Sequence, residues 1–394
     1  MPATTPRPIS TTATAVVVPF APPAIGAGEI AEVIDTLESG WLSTGPRVAA
    51  FERAFADYAG AAHAVAVNSG TAALHLSLLA AGVVPGDEVI TTPMTFCATA
   101  NAIIHAGGTP VFADIDPATG NLDPAAAAVA VTGRTRALLP VHFAGRPADM
   151  EALSCIAARH GADLIEDAAH CVEGIAADRK VGSIGRFTCF SFYATKNLTT
   201  GEGGMVTTAD ASAAAFIRSA SLHGLSRSAW GRYAPGGSAE YDVLLPGFKY
   251  NMMDLQAAIG LHQLARIGEL HARRTRIWQR YDAGLAGLPL RRPPPARCGD
   301  VHARHLYTVL LDERAAGLPR DALQARLRER GISTSVHFKA LHLHPYYQSR
   351  FGLRRGMFPA AEAVSDTTLS LPLSAAMEPP AAEHVIEALH DVLG

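Results

Sequence analysis

Thr188-Cys189-Phe190-Ser191-Phe192-Tyr193-Ala194-Thr195-Lys196-Asn197-Leu198-Thr199-Thr200-Gly201-Glu202-Gly203-Gly204 reads as a strand that ends in a lysine loop. With Phe187 in front, Cys189, Phe190 and Phe192 suit a pleated, buried sheet. The chain then leaves the sheet and delivers Lys196 ahead of a polar, glycine-rich turn. The neighbours of Lys196 are small, aromatic or hydroxylated, and Glu202 is the only acid close in sequence. A lysine held in such a desolvated place tends toward the neutral, nucleophilic amine. A surface lysine at a strand end has the same local signature, so the remaining sequence has to decide.

Working outward, the 394 residues suffice for two domains and a sizeable core. Hydrophobic residues make up 48% and charged residues 18%, which describes a globular chain and not a disordered one. The formal net charge of -3 gives no electrostatic case for nucleic acid or an anionic membrane. No apolar run is long enough to span a bilayer. Cys97, Cys155, Cys171, Cys189 and Cys298 form no CxxC pair and read as reduced, mostly core residues of a cytoplasmic protein. Residues 1–14, rich in Thr, Pro and Ser, read as a loose N-terminus.

Strands and helices alternate on both sides of the lysine stretch. Helices are expected over Ile25–Leu37, Val48–Tyr58, Thr71–Ala81, Cys97–His105 and Asp149–His160. Strands are expected over His63–Asn68, Glu88–Thr92, Val111–Ile115, Ala137–Val141 and Asp163–Glu166. This β-α alternation argues for an α/β fold with a mostly parallel sheet covered on both faces. A long helix from Asp254 to about Leu285 and the stiff connector Arg291-Arg292-Pro293-Pro294-Pro295 lead to a smaller α/β unit. There, strands are expected over Leu306–Leu311 and Ser333–Phe338, and helices over Asp321–Arg328 and Pro380–Leu393. The expected division is a large domain over 15–265, then the connecting helix and small domain over 266–394.

Five features of this pattern suit one cofactor. Asn68-Ser69-Gly70-Thr71 lies between a strand and a helix, where free N–H groups and a partial positive charge favour a phosphate; an ordinary N-cap looks the same. Asp167 ends the strand in Leu164-Ile165-Glu166-Asp167-Ala168-Ala169-His170, at the carboxyl edge where open α/β sheets bind ligands. A carboxylate there can keep a pyridine nitrogen protonated, and His170 could reach the same ligand. Phe96, in Pro93-Met94-Thr95-Phe96, could stack on a planar ring. Lys196 supplies the amine, with Ser191 upstream as a second phosphate donor. Gly247-Phe248-Lys249-Tyr250-Asn251-Met252-Met253-Asp254 is a polar loop capping the long helix. Each sign has a plain structural alternative, a cap or a core packing residue. Together, and in this order, they describe a pyridoxal 5'-phosphate (PLP) site with Lys196 as the covalent attachment point.

The sequence resembles the DegT/StrS family of sugar-nucleotide aminotransferases, PLP enzymes of fold type I. The matching blocks are Asn68 to Leu74, Pro93 to Phe96, Val141 to Gly145, Glu166 to His170, the Lys196 block and the Asn251 block. The resemblance implies the attachment lysine at Lys196, the ring-nitrogen partner at Asp167, stacking at Phe96 and a cofactor contact at His170. It implies phosphate contacts from Gly70, Thr71 and Ser191, and from Asn251 of a second subunit, hence a homodimer with shared sites. Phe190 to Asn197, Gly247 to Asn251 and Ser335-Val336-His337-Phe338 look most like enzymes that aminate C4 of a UDP-4-keto sugar, the 4-amino-4-deoxyarabinose type included. In His302-Ala303-Arg304-His305-Leu306-Tyr307, Arg304 stands where an aromatic residue is expected. Family members that dehydrate have histidine in place of the lysine, so Lys196 argues for transamination.

The expected activity is amino transfer from glutamate, which leaves as 2-oxoglutarate, to a nucleotide-linked keto sugar. Trp41, Arg227 and His337 are expected to line the outer substrate pocket. Two alternatives stay open at this point: an aminotransferase acting on a keto-cyclitol or keto acid, and a PLP-binding regulator without turnover.

Overall fold

The computed structural model describes residues 17–226 and 240–394. Its centre is a seven-stranded sheet made of β1 (His63–Val67), β2 (Glu88–Thr91), β3 (Thr109–Phe112), β4 (Thr135–Leu138), β5 (Asp163–Asp167), β8 (Phe187–Ser191) and β9 (Gly204–Thr208). Between β5 and β8 lies a two-stranded ribbon, β6 (Ile175–Ala176) and β7 (Arg179–Lys180). The strand order is β1-β9-β8-β5-β4-β2-β3. The pairs from β3 through β2, β4 and β5 to β8 are parallel, and β9 runs antiparallel to both its neighbours.

The reversal at β9 follows from the lysine stretch. No crossover helix separates β8 from β9, and without one the chain can only return antiparallel. Ser191 pairs with Gly204 and Phe190 with Met205. Lys196 therefore rides on the loop at the carboxyl end of β8. That loop is tied down by Phe192 N to Gly203 O (2.8 Å), Thr200 N to Phe192 O (2.9 Å) and Lys196 N to Tyr193 O (2.8 Å).

Alternating side chains of β8 serve two cores, as a sheet covered on both faces requires. Phe187 and Cys189 join Leu74, Leu76 and Ile217 on one side. Phe190, with Phe192 beyond the strand end, meets Phe51 and Phe55 of the helix Pro46–Ala59 on the other. The Phe55 ring centroid lies 4.9 Å from that of Phe190 and 5.5 Å from that of Phe192. Removing the Phe55 ring would cost about 3–5 kcal/mol, and the loss would fall directly beneath the lysine loop.

The C-terminal unit is built on a three-stranded sheet, β10 (Leu290–Arg291), β11 (Tyr307–Leu311) and β12 (Thr368–Leu371), packed by the helices Ile267–Gly284, Arg320–Glu329 and Pro379–Leu393. Val18, early in the chain, bridges to Ile332 and packs in this unit's core.

Several expectations are corrected. The helix expected from Asp254 to Leu285 is two helices, Asp254–Ala265 and Ile267–Gly284, broken at Arg266 (φ -106, ψ 9). Arg266 is held out of register because its guanidinium bonds Ala24 O and Glu29. Ser333–Phe338 is not a strand: a single bridge joins Ser335 to Ser370, and the His337 ring and carbonyl are taken by the Ser370 and Thr368 hydroxyls. The strands expected at Val111–Ile115 and Ala137–Val141 lie earlier, at Thr109–Phe112 and Thr135–Leu138. Cys171 and Cys189 are buried, whereas Cys155 and Cys298 are exposed, so the core reading fails for those two. No helix among the described residues is long and apolar enough to cross a membrane.

Candidate active site

The carboxyl ends of β1, β5 and β8 bring most of the expected residues together. Asp167 ends β5 and is buried. Its Oδ2 accepts from Thr99 Oγ1 at 2.8 Å and its Oδ1 from Ala169 N at 3.1 Å. Burial pushes this carboxyl up, while the two hydrogen bonds and the Lys196 charge pull it back. A cationic N–H set against it would favour the ionised form.

Lys196 lines a small cavity with Thr195, Asn197 and Arg274. Part of the residue is exposed, yet its amine lies deep enough for burial to bring it down to about 8, against the opposing pull of Asp167. Near neutral pH a useful fraction is then the free amine.

The phosphate cradle rests on a close approach of two elements. Ser69 caps the helix Gly70–Ala80 through Ala72 N at 3.1 Å. A Cβ on Gly70 would fall 2.8 Å from Ser191 Cβ, so only glycine lets that helix end meet Ser191. Thr71 is exposed on the first turn. Gly204 is fixed for a similar reason, since a Cβ there would meet Ser69 C and O at 2.5 Å. A helix N-terminus flanked by two hydroxyls suits a phosphate.

Phe96 caps the helix Cys97–His105 and is 60% exposed, unusual for a phenyl ring. His170 is buried, and its ring is held between His305, 4.4 Å away, and Phe338, 6.1 Å away and nearly parallel. Its Nδ1 is buried without a hydrogen-bond partner. Burial, then the Lys196 charge, keep it well below the ordinary histidine value. These are the features a planar, phosphorylated pyridine needs: a stacking face, an orphaned polar atom, a glycine cradle and a buried carboxylate. The residues fit PLP.

His337 of the C-terminal unit also lies within reach of the Lys196 charge; burial first, and that charge second, bring it down to about 4. Phe20 stacks on it at 5.6 Å, so the N-terminal segment forms part of the wall. Two expected residues lie elsewhere. Asn251 bridges to Val67 on the outer edge of β1; its amide donates to Thr44 Oγ1 at 2.8 Å and its carbonyl accepts from Lys249 Nζ at 2.6 Å. Trp41 stands in the same corner, with Nε1 3.2 Å from Thr44 O. Arg227 lies outside the described residues.

Sequence reading missed Thr99, His305, Asn197 and Phe338. Thr99 carried a signal, since it follows Phe96 by one helical turn. His305 and Phe338 reach the site only through tertiary folding.

The sequence pattern of the DegT/DnrJ/EryC1/StrS aminotransferase family matches residues 23–390. The chain is 52% identical over 376 residues to the spore coat polysaccharide biosynthesis protein SpsC of Bacillus subtilis (strain 168), covering 95% of this chain and 97% of that one. The PLP form of Spr1654 from Streptococcus pneumoniae superposes with a TM-score of 0.88 at 33% identity, covering 96% and 100% of the two chains. PseC of Helicobacter pylori, an aminotransferase involved in the biosynthesis of pseudoaminic acid, superposes with a TM-score of 0.88 at 27% identity, covering 96% and 99%. The chain belongs to the DegT/DnrJ/EryC1/StrS aminotransferase family, and it is a PLP-dependent sugar aminotransferase.

Proposed function

We propose that the protein transfers the amino group of glutamate to the keto carbon of a nucleotide-linked sugar, at C4 of a UDP-4-keto sugar. The observation that carries the transfer chemistry is the placing of the desolvated Lys196 amine on the loop after β8, with the buried Asp167 carboxyl at the end of the neighbouring strand β5. The sugar rests on the relatives, one named for spore coat polysaccharide biosynthesis and one for pseudoaminic acid. The arabinose-type subclass rests on the blocks Phe190 to Asn197, Gly247 to Asn251 and Ser335 to Phe338. With no basic surplus and free cysteines, we place the reaction in the cytoplasm.

PLP, when bound, supplies the aldehyde that carries the amino group and a protonated ring that takes up negative charge. Asp167 holds the ring nitrogen's proton. Gly70, Thr71 and Ser191 hold the phosphate, and Phe96 and His170 hold the ring. Lys196 Nζ takes the proton from the donor's α-carbon and later delivers one to the sugar carbon that gains nitrogen. His337 lines the sugar side. We divide the chain at the Arg266 break, which puts His337 on the C-terminal unit and within reach of the Lys196 charge.

A second copy of the chain completes each site in this reading, with Asn251 and Trp41 reaching the partner's phosphate and sugar. The helix Ala27–Glu38 supports it. This helix buries Glu29 and Thr36 yet exposes Ile30 (55%), Ile34 (50%) and Leu37 (53%), an inverted pattern that asks for cover. Leu42 and Met253 extend the apolar face beside Trp41 and Asn251.

Purified enzyme and glutamate, screened against UDP-, dTDP- and GDP-4-keto sugars, should yield 2-oxoglutarate and one aminated sugar by mass spectrometry. Turnover of keto-cyclitols or keto acids but of no nucleotide sugar would overturn the proposal.

A further inference from the structure

β5 and β8 run side by side, and Asp167 and Cys189 are their last paired residues. Beyond that point the two chains part. One enters the turns 168–174, the other the loop that carries Lys196. The turns are tight: Cys171 N donates to Ala168 O at 2.9 Å and Gly174 N to Cys171 O at 3.1 Å. Asn197, next to Lys196, rejoins the two chains. It is buried, and its Nδ2 donates to Glu173 Oε2 at 2.8 Å and to Ala303 O at 2.8 Å. A carboxylate and a carbonyl can only accept, so Nδ2 must face them, and Oδ1 is left for His305 Nδ1 at 3.0 Å. Glu173 is held in turn by a buried ion pair with Arg274 of the helix Ile267–Gly284. The result is a closed frame. Sheet pairing forms one end and the Asn197–Glu173 bond the other, with Asp167 and His170 along one side and Lys196 along the opposite one.

We propose that Asn197 is a positioning residue for amino transfer: its bond to Glu173 closes the frame and fixes the root of the Lys196 side chain relative to the Asp167 carboxyl. The lysine amine must reach the donor's α-carbon while Asp167 holds the ring nitrogen, so the spacing of the two segments is part of the chemistry. A displacement of about 1 Å can cost about a hundredfold in rate. The inference rests on the transamination reading for its kinetic arm, but not for its mechanical arm.

Asn197→Ala removes the bond. Thr199→Val is the control, because it removes two bonds that stay inside the lysine loop, one to Phe192 O at 3.2 Å and one from Gly201 N at 3.0 Å. In PLP-free protein, hydrogen–deuterium exchange should quicken over both 192–203 and 168–174 in Asn197→Ala, and over 192–203 alone in Thr199→Val. In PLP-loaded protein, the half-reaction with glutamate needs no sugar substrate. Its maximal rate should fall about a hundredfold in Asn197→Ala, with the glutamate concentration for half-saturation unchanged. α-Deuterated glutamate should then show a larger isotope effect, because proton transfer by Lys196 has become the slow step. A merely structural loss would lower the unfolding midpoint and leave the isotope effect alone, as Thr199→Val should. An isotope effect in Asn197→Ala no larger than in Thr199→Val, or faster exchange confined to 192–203, would overturn the proposal. Were Asn197→Ala not to fold, Asn197→Asp gives the same test: it keeps the size and the oxygen toward His305, but sets a carboxylate oxygen against Glu173. Coupled exchange in a protein whose wild-type form is inert toward glutamate would leave the frame standing and refute the transamination reading beneath the kinetic arm.

Discussion

Thr99 Oγ1 donates a 2.8 Å hydrogen bond to Asp167 Oδ2 from the first turn of the helix that Phe96 caps. One helical turn thus fixes both the aromatic residue proposed to cover the cofactor ring and the carboxylate proposed to hold its nitrogen. Thr95, on the other side of Phe96, shares its hydroxyl with Thr99 at 2.7 Å.

The Asp167 carboxylate should matter more for rate than for retention. We predict that Asp167→Asn keeps PLP bound but loses about a hundredfold or more in turnover. Near-wild-type turnover would remove the proposed role. Thr99→Val should act in a graded way. It removes the bond that lowers the Asp167 carboxyl most, so that carboxyl rises further. Since the ionised form is required, the acid limb of the pH–kcat/KM profile should move to higher pH.

Lys196 should carry the label when PLP-loaded protein is reduced with borohydride and mapped. Labelling of Lys249 instead would overturn the assignment. In PLP-free protein, the pH dependence of Lys196 acylation should have its midpoint near 8. Asp167 favours the charged lysine, so Asp167→Asn should move that midpoint down, and an upward shift would contradict the coupling.

Gly70 tests the cradle. A methyl group 2.8 Å from Ser191 Cβ has no flexible tip to displace. We predict that Gly70→Ala costs about 1–3 kcal/mol in denaturant unfolding and weakens PLP retention by dialysis. An unchanged PLP affinity would mean that phosphate is held elsewhere.

Shared sites predict complementation. Lys196→Ala and Asn251→Ala chains should each be impaired, yet co-refolded mixtures should regain activity, because one site of each mixed dimer has both residues whole. Recovery no higher than the weaker parent would place Asn251 in service of its own chain.

The parts of this site legible in the sequence are those written in local chemistry. The aromatic run before Lys196, the Asp167 strand end and the Ser69-Gly70 cap each follow from a few neighbouring residues. What stayed hidden depends on distance in the chain. Arg266 breaks a pattern that looks continuously helical because its partner, Glu29, lies far upstream. Ser333–Phe338 has the composition of a strand, but its pairing stops at the single Ser335–Ser370 bridge, and beyond it the His337 ring and carbonyl go to the hydroxyls of Ser370 and Thr368. Asn197 stands beside Lys196 in plain view, but its hydrogen bonds go to Glu173 on one distant segment and to Ala303 and His305 on another.

Phe20 rests on His337, and two residues earlier Val18 is stitched to Ile332. A protease that clipped the chain just after Phe20 would leave Lys196, Asp167 and the cradle untouched while loosening one wall of the substrate cleft. Such trimming would spare the yellow colour of the bound cofactor and blunt catalysis, so a purified sample could look intact by its absorbance and still be damaged.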